Sequence, residues 1–259
     1  MKKFLLSLLA TTITVTTMAQ VTNFSQYQKK LYIHVRDTLP YRILLPLHYD
    51  KTKKYPLLIF LHGSGERGND NEAQLSHGGS LFLEDSLRES FQAIIVFPQC
   101  PANGFWSNVK ITTDTSRHFT FIPDGEPTPS MKLLLGLLEQ LQHTYKIDKH
   151  SIYAGGLSMG GMGTFELVRR RPTIFAAAFS ICGGADTTTA PEIKYTAWWL
   201  FHGLKDNVVD PQFSIEMNQA LKKAGADVQL TLYPNDNHNS WDDALAERNL
   251  LPWLFSIHR

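Results

Sequence analysis

Gly155-Gly156-Leu157-Ser158-Met159-Gly160-Gly161 sets one serine between glycines where an apolar segment passes into a helical pattern. Ser151-Ile152-Tyr153-Ala154 before it is a short β-prone run, and Thr164 to Arg170 after it has helical spacing and stops before Pro172. A serine at the tip of a tight strand-to-helix turn sits in a strained backbone, and small residues two before and two after let the chain pass without clashing. The following helix aims its free N–H groups and partial positive charge at the place where an oxyanion would form. The string alone is weak, since it also describes an ordinary turn or helix cap, so its weight depends on what surrounds it.

Working outward, continuous apolar runs at Tyr55-Pro56-Leu57-Leu58-Ile59-Phe60-Leu61, Ala93-Ile94-Ile95-Val96-Phe97 and Ala197-Trp198-Trp199-Leu200-Phe201 predict strands covered on both faces, as in a parallel sheet. Further strands are expected at residues 151–154, 175–181 and 228–233, and an antiparallel hairpin from residues 31–35 and 41–45, turning near Asp37 to Pro40. Helices are expected over 131–145 with Ser130 as cap, from Asp210-Pro211 to Gly225, and from Ser240 with a capping-box spacing. Strand and helix alternate, so the expected fold is a mostly parallel, doubly wound α/β sheet of about eight strands in a single domain over 20–259. The connection from Pro98 to Ser130 is long and rich in Pro, Gly, Asn and Thr, and reads as a functional loop. The segment after residue 183 is short where a lid could be inserted, so an open site is expected.

With 43% hydrophobic residues in 259, the chain can bury a full core. Its net charge of +1 and lack of long basic runs exclude an electrostatic footprint for nucleic acid. Residues 1–19 read as a secretory signal peptide: Lys2 and Lys3, a short apolar middle, and a small-residue ending that predicts cleavage after Ala19. The apolar part is too short for a membrane span, so a periplasmic or secreted protein without membrane insertion is expected. Cys100 and Cys182 would follow strands about three spacings, or ~14 Å, apart, too far for a disulfide, which makes two buried thiols the expectation.

A serine nucleophile needs a base, and the base an orienting carboxylate, in the order serine, acid, histidine. Asp206 lies in a loop past one buried strand, and His238 in a loop past the last strand, so Ser158, Asp206 and His238 all fall at C-terminal strand ends, where open parallel sheets build their sites. Asp206 could otherwise be a turn residue, with Asp186 the runner-up acid, and His238 a neighbour of a helix cap. His202 is expected to pack or hydrogen-bond beneath the site. An oxyanion hole is expected from the N–H groups of Met159 and of Ser64, in the loop Leu61-His62-Gly63-Ser64-Gly65-Glu66-Arg67-Gly68, where Gly63 and Gly65 permit a tight backbone. That loop lacks the lysine and hydroxyl of a phosphate cradle.

These residues, with Pro98-Gln99-Cys100-Pro101 and Ile181-Cys182-Gly183-Gly184, resemble the α/β-hydrolase superfamily, and within it secreted bacterial enzymes of the phospholipase/carboxylesterase or "predicted peptidase" type. Those are related to feruloyl and acetylxylan esterases and polyhydroxybutyrate depolymerases. The resemblance spans about residues 30–259 and implies a cofactor-free, metal-free serine esterase acting on short-acyl or carbohydrate-linked esters. Serine peptidase activity on short peptides and a non-catalytic carbohydrate-binding role are the alternatives. Trp106, in the long connection, is assigned with Gly63 to the substrate pocket, against the reading of Trp106 as a core aromatic anchoring its loop.

Overall fold

A computed structural model describes residues 23–114 and 117–259. The segment read as a signal peptide, 1–19, lies outside the described residues. In chain order the elements are β1 (Gln28–His34), β2 (Asp37–Leu44), β3 (Tyr55–Leu61), α1 (Asp85–Ser90), β4 (Ile94–Pro98), β5 (Val109–Thr113), β6 (Arg117–Phe121), α2 (Pro129–Thr144), β7 (Ile147–Leu157), α3 (Met159–Arg170), β8 (Ala177–Ile181), β9 (Ala197–Gly203), α4 (Gln212–Ala224), β10 (Val228–Tyr233), α5 (Trp241–Leu245) and α6 (Leu250–Ser256).

Among the described residues eight strands make one sheet in the order β1-β2-β4-β3-β7-β8-β9-β10. Strands from β4 through β10 in that order run parallel, and β2 joins β4 antiparallel to carry the β1–β2 hairpin at the edge. The apolar runs explain this arrangement, because period-two alternation sends Leu57, Ile59 and Leu61 to one face and Leu58 and Phe60 to the other, and all five are buried. The first face packs against the leucine stripe of α2, against Phe165, Leu167 and Val168 of α3, and against Met217 and Leu221 of α4. The second face is covered by Phe82 and by Leu250, Leu251 and Leu254 of α6. Phe165 stacks on Trp198 with centroids 4.7 Å apart, which fixes α3 over β9.

Several local expectations are corrected. The first hairpin turns at Val35-Arg36, where His34 pairs with Asp37, and Pro40 is a strand residue whose carbonyl accepts from Gln99 N–H. Val35 takes a φ of 58°, a conformation a β-branched residue rarely adopts, so nothing in the composition marks that turn. The cap of α2 is Thr128, whose Oγ1 accepts from Met131 N–H at 3.1 Å, with Pro129 at the first helical position. Ser240 precedes α5 without a capping hydrogen bond. The Pro98 to Ser130 connection contains the separate two-stranded ribbon β5–β6. Phe119 and Phe121 dock this ribbon on Phe213 of α4, with centroids 6.2 and 5.3 Å away. Cys100 and Cys182 are buried free thiols, and burial pushes both upward, Cys100 to about 11.

Candidate active site

Ser158 is the single residue between β7 and α3, with φ 53° and ψ −118°, a strained conformation for a residue with a Cβ. Its N–H donates to Ile181 O at 2.8 Å and its carbonyl accepts from Met162 N–H at 3.0 Å, so both flanking elements hold the strain. The glycines follow from the same geometry. A Cβ on Gly156 would lie 2.6 Å from Leu61 O, and one on Gly160 would collide with that same oxygen, so only glycine lets the elbow sit against the end of β3.

Ser158 Oγ lies 2.9 Å from His238 Nε2, and His238 Nδ1 lies 2.7 Å from Asp206 Oδ2. With Asp206 ionised, Nδ1 carries the proton and donates to the carboxylate, which leaves Nε2 to accept from the serine hydroxyl. His238 sits between β10 and α5, and Asp206 between β9 and α4. Gly203 lets these loops meet, because a Cβ there would lie 2.5 Å from Asp236 O. Leu204 and Lys205 N–H donate to Tyr233 O and Asp236 O, both at 2.9 Å, fastening the histidine loop to the aspartate loop.

Burial alone would push the Asp206 carboxyl upward. Hydrogen bonds from His202, His238, Val209 N–H and Val208 N–H outweigh it and hold the group well below the usual carboxylate range. His202 is fully buried, with Nε2 at 3.2 Å from Asp206 Oδ2 and 3.0 Å from Val209 O, and Nδ1 at 2.7 Å from Ser214 Oγ. Two oxygens face Nε2, so it bears a proton.

Met159 and Ser64 each open a helical turn, α3 and residues 64–66, so neither N–H has an acceptor within its own helix. Both residues border the cavity that contains Ser158 and His238. Gly63 lies beside Ser158, since a Cβ there would be 2.9 Å from Leu157 Cδ1 and 3.6 Å from Ser158 Cβ. Gly65 faces open space and is not required for close approach. Beneath the loop, His62 Nδ1–H donates to Gly63 O at 2.6 Å and Nε2 accepts from Cys100 N–H at 2.9 Å. Burial lowers the His62 pKa to about 4, keeping it neutral.

The cavity measures about 380 Å³. Phe105, Met162, Val208 and Val209 give it an apolar floor, the ribbon β5–β6 forms one wall, and Arg67 stands at its edge. Trp106 is not part of it, contrary to the sequence assignment. It is fully buried, its Nε1 donates to His62 O at 3.3 Å, and its ring meets His62 edge-on at 5.5 Å, so it anchors the connection beneath the loop at residues 61–68. Phe105, the residue before it, faces the cleft instead. Asp186 caps the turn at residues 187–192 by accepting from Thr188 N–H and does not approach His238.

The ribbon's contribution was missed by the sequence reading, although Ile111/Thr113 and Phe119/Phe121 carry a short alternation that announces it. Cys182, Asp206 and His238 place ligand-type atoms within 4.8 Å of one another. The 2.7 Å between Nδ1 and Oδ2 leaves no room for an ion between them, and the buried thiol is held protonated, so the cluster does not suit a metal.

A parallel sheet crossed by a serine elbow, with acid and histidine loops at the same edge, defines the α/β-hydrolase class, and the comparisons agree. The pattern of the Phospholipase/Carboxylesterase family matches residues 126–249, which include Ser158, Asp206 and His238. Over 206 residues the chain is 31% identical to lysophospholipase-like protein 1 of Mus musculus, covering 70% of this chain and 79% of that protein. Over 177 residues it is 28% identical to probable feruloyl esterase C of Aspergillus terreus, covering 68% of this chain but 58% of that relative. Among solved structures, a thermostable esterase superposes with a TM-score of 0.82 at 30% identity, covering 91% of this chain and 64% of that one. A ferulic acid esterase at 20% identity and TM-score 0.67, covering 89% of this chain and 98% of that one, shares the fold. The chain belongs to the phospholipase/carboxylesterase family of the α/β-hydrolase superfamily, and is an esterase-like hydrolase.

Proposed function

We propose that the chain is a serine-dependent carboxylic ester hydrolase working through Ser158, His238 and Asp206. The observation that carries this reading is the unbroken hydrogen-bonded line from Ser158 Oγ through His238 to Asp206, starting at a strained elbow. His238 Nε2 takes the hydroxyl proton as Oγ attacks the ester carbonyl. The imidazolium is balanced by Asp206, and the N–H groups of Met159 and Ser64 receive the oxyanion. The alcohol leaves with the proton from Nε2. Water, activated by the same nitrogen, then clears the acyl-enzyme.

The apolar floor suits a short acyl chain or an aromatic acid, and the feruloyl esterase relatives favour a carbohydrate-linked ester. The leader-like composition of residues 1–19 supports, in the same reading, an activity outside the cytoplasm. The test is hydrolysis of 4-nitrophenyl acetate by the parent and by Ser158→Ala, with fluorophosphonate labelling of both. The variant is expected to lose at least about 10⁴-fold in kcat/KM and all labelling. Full activity or labelling without Ser158 would overturn the assignment.

A further inference from the structure

The ribbon β5–β6 turns one face to the cleft. Ile111 pairs with Phe119 and Thr113 with Arg117, and all four border the cavity over Ser158. Period-two alternation sends Lys110, Thr112, His118 and Thr120 to the other face, so Arg117 is the charge this ribbon brings to the site. A second guanidinium comes from a different part of the chain. Arg67, in the oxyanion loop, borders the same cavity, with Nε donating to Ser64 O at 3.0 Å and Nη1 to Gly104 O at 3.2 Å. Those carbonyls hold the side chain in place without cancelling its charge.

No carboxylate offsets this pair among the described residues. Neither guanidinium has an acidic partner within 4.0 Å, and no aspartate or glutamate borders the cavity. The nearby acids are directed elsewhere. Glu66 faces His62 and His77 at 4.0 and 3.7 Å, Asp114 lies 3.0 Å from His118 Nε2, and the Asp206 carboxylate is fully buried behind His238. The cleft thus offers an apolar bed with two cations and no anion of its own.

We propose that the cleft selects esters carrying a second, anionic group, a carboxylate or a phosphate, that meets Arg67 and Arg117 while the scissile carbonyl lies over Ser158. This rests on the ester-hydrolase reading of Ser158. Guanidinium groups match both anions through paired N–H donors, and charge-assisted hydrogen bonds are about twice as strong as neutral ones. Arg117 is exposed, so solvent and salt screen its share.

The experiment compares kcat/KM for matched esters, each normalised to its rate with hydroxide. On the alcohol side these are 4-acetoxybenzoate, 4-acetoxyphenyl phosphate and the neutral methyl 4-acetoxybenzoate; on the acyl side, the 4-nitrophenyl ester of adipate and its methyl-capped counterpart. In at least one arm the anionic ester is expected to be preferred roughly tenfold, mainly through KM, with the preference shrinking as sodium chloride is added. The arm that responds identifies the side and kind of anion. In Arg117→Gln the anionic-to-neutral ratio should fall toward one. Neutral esters hydrolysed as well as or better than anionic ones in every arm, or a preference untouched by salt and by Arg117→Gln, would overturn the proposal and leave the esterase reading intact. Failure to hydrolyse any of the five esters would overturn both.

Discussion

His202 Nε2 lies 3.2 Å from Asp206 Oδ2, the same carboxylate oxygen that faces His238 Nδ1. The acid is therefore held from behind by a buried imidazole as well as by two backbone N–H groups, and His202 acts as a positioning residue through it. His202→Phe should lower kcat on a short ester roughly 10- to 100-fold with KM little changed, while His202→Gln, which can still donate to Asp206, should recover part of the loss. The phenylalanine variant also removes one of the bonds that depress the Asp206 carboxyl. A depressed carboxyl contributes stability above its unfolded value near 4, lost as pH falls through the folded value. Raising the folded value shrinks that contribution, so the variant should lose activity and stability at a higher pH than the parent, which a pair of pH profiles would reveal.

The oxyanion assignment of Ser64 concerns its N–H and not its hydroxyl. Ser64→Ala should stay within a few-fold of the parent in kcat, whereas Ser64→Pro should lose about 10²- to 10³-fold. Proline is tolerated by the backbone there, because Ser64 is the first residue of a helical turn and Gly63 before it is extended, at φ −76° and ψ −175°. Circular dichroism on both variants would establish that the fold survives; equal kcat values would remove Ser64 from the oxyanion hole.

Trp106 and Phe105 are adjacent in sequence and opposite in role. Trp106→Ala should cost about 3 to 5 kcal/mol of stability through the lost core aromatic. Phe105→Ala, on the cleft, should change KM across a series of acyl chain lengths with a much smaller effect on denaturant midpoint. A cleft role for Trp106 would reverse the two outcomes.

His62 makes a prediction about acid. Its folded pKa of about 4 lies below the usual 6.5, so the unfolded chain binds the proton first and stability rises with pH between those values. The contribution is complete above 6.5 and lost toward 4, amounting to about 3 kcal/mol. Denaturant unfolding at a series of pH values should show this slope, and His62→Gln should flatten it. An NMR titration placing the His62 imidazole near 6.5 in the folded protein would contradict the buried, neutral ring.

The parts of the site legible in the sequence are those where chemistry demands one residue type. Only glycine fits against Leu61 O, so the elbow is spelled out around Ser158, and the order of Asp206 and His238 follows from the strands that precede them. What escaped was set by side-chain direction and packing. The position of Trp106 in a loop says nothing about which way its ring turns. The tight first turn rests on Val35, without the glycine or asparagine that would mark it. The β5–β6 ribbon left only the short alternation of Ile111/Thr113 and Phe119/Phe121, easily lost in a connection rich in Pro, Gly and Asn because its strands are five residues each and mostly exposed.

That ribbon pairs only with itself among the described residues and is seated by Phe119 and Phe121 against Phe213. Because the main sheet needs none of its hydrogen bonds, its length and its cleft-facing residues can vary without disturbing the sheet that holds Ser158. The wall of the cleft is mechanically separable from the sheet that positions Ser158, His238 and Asp206, so on the ester-hydrolase proposal a ribbon transplanted from a relative should carry its substrate preference along and leave the hydrolytic rate on a short ester unchanged.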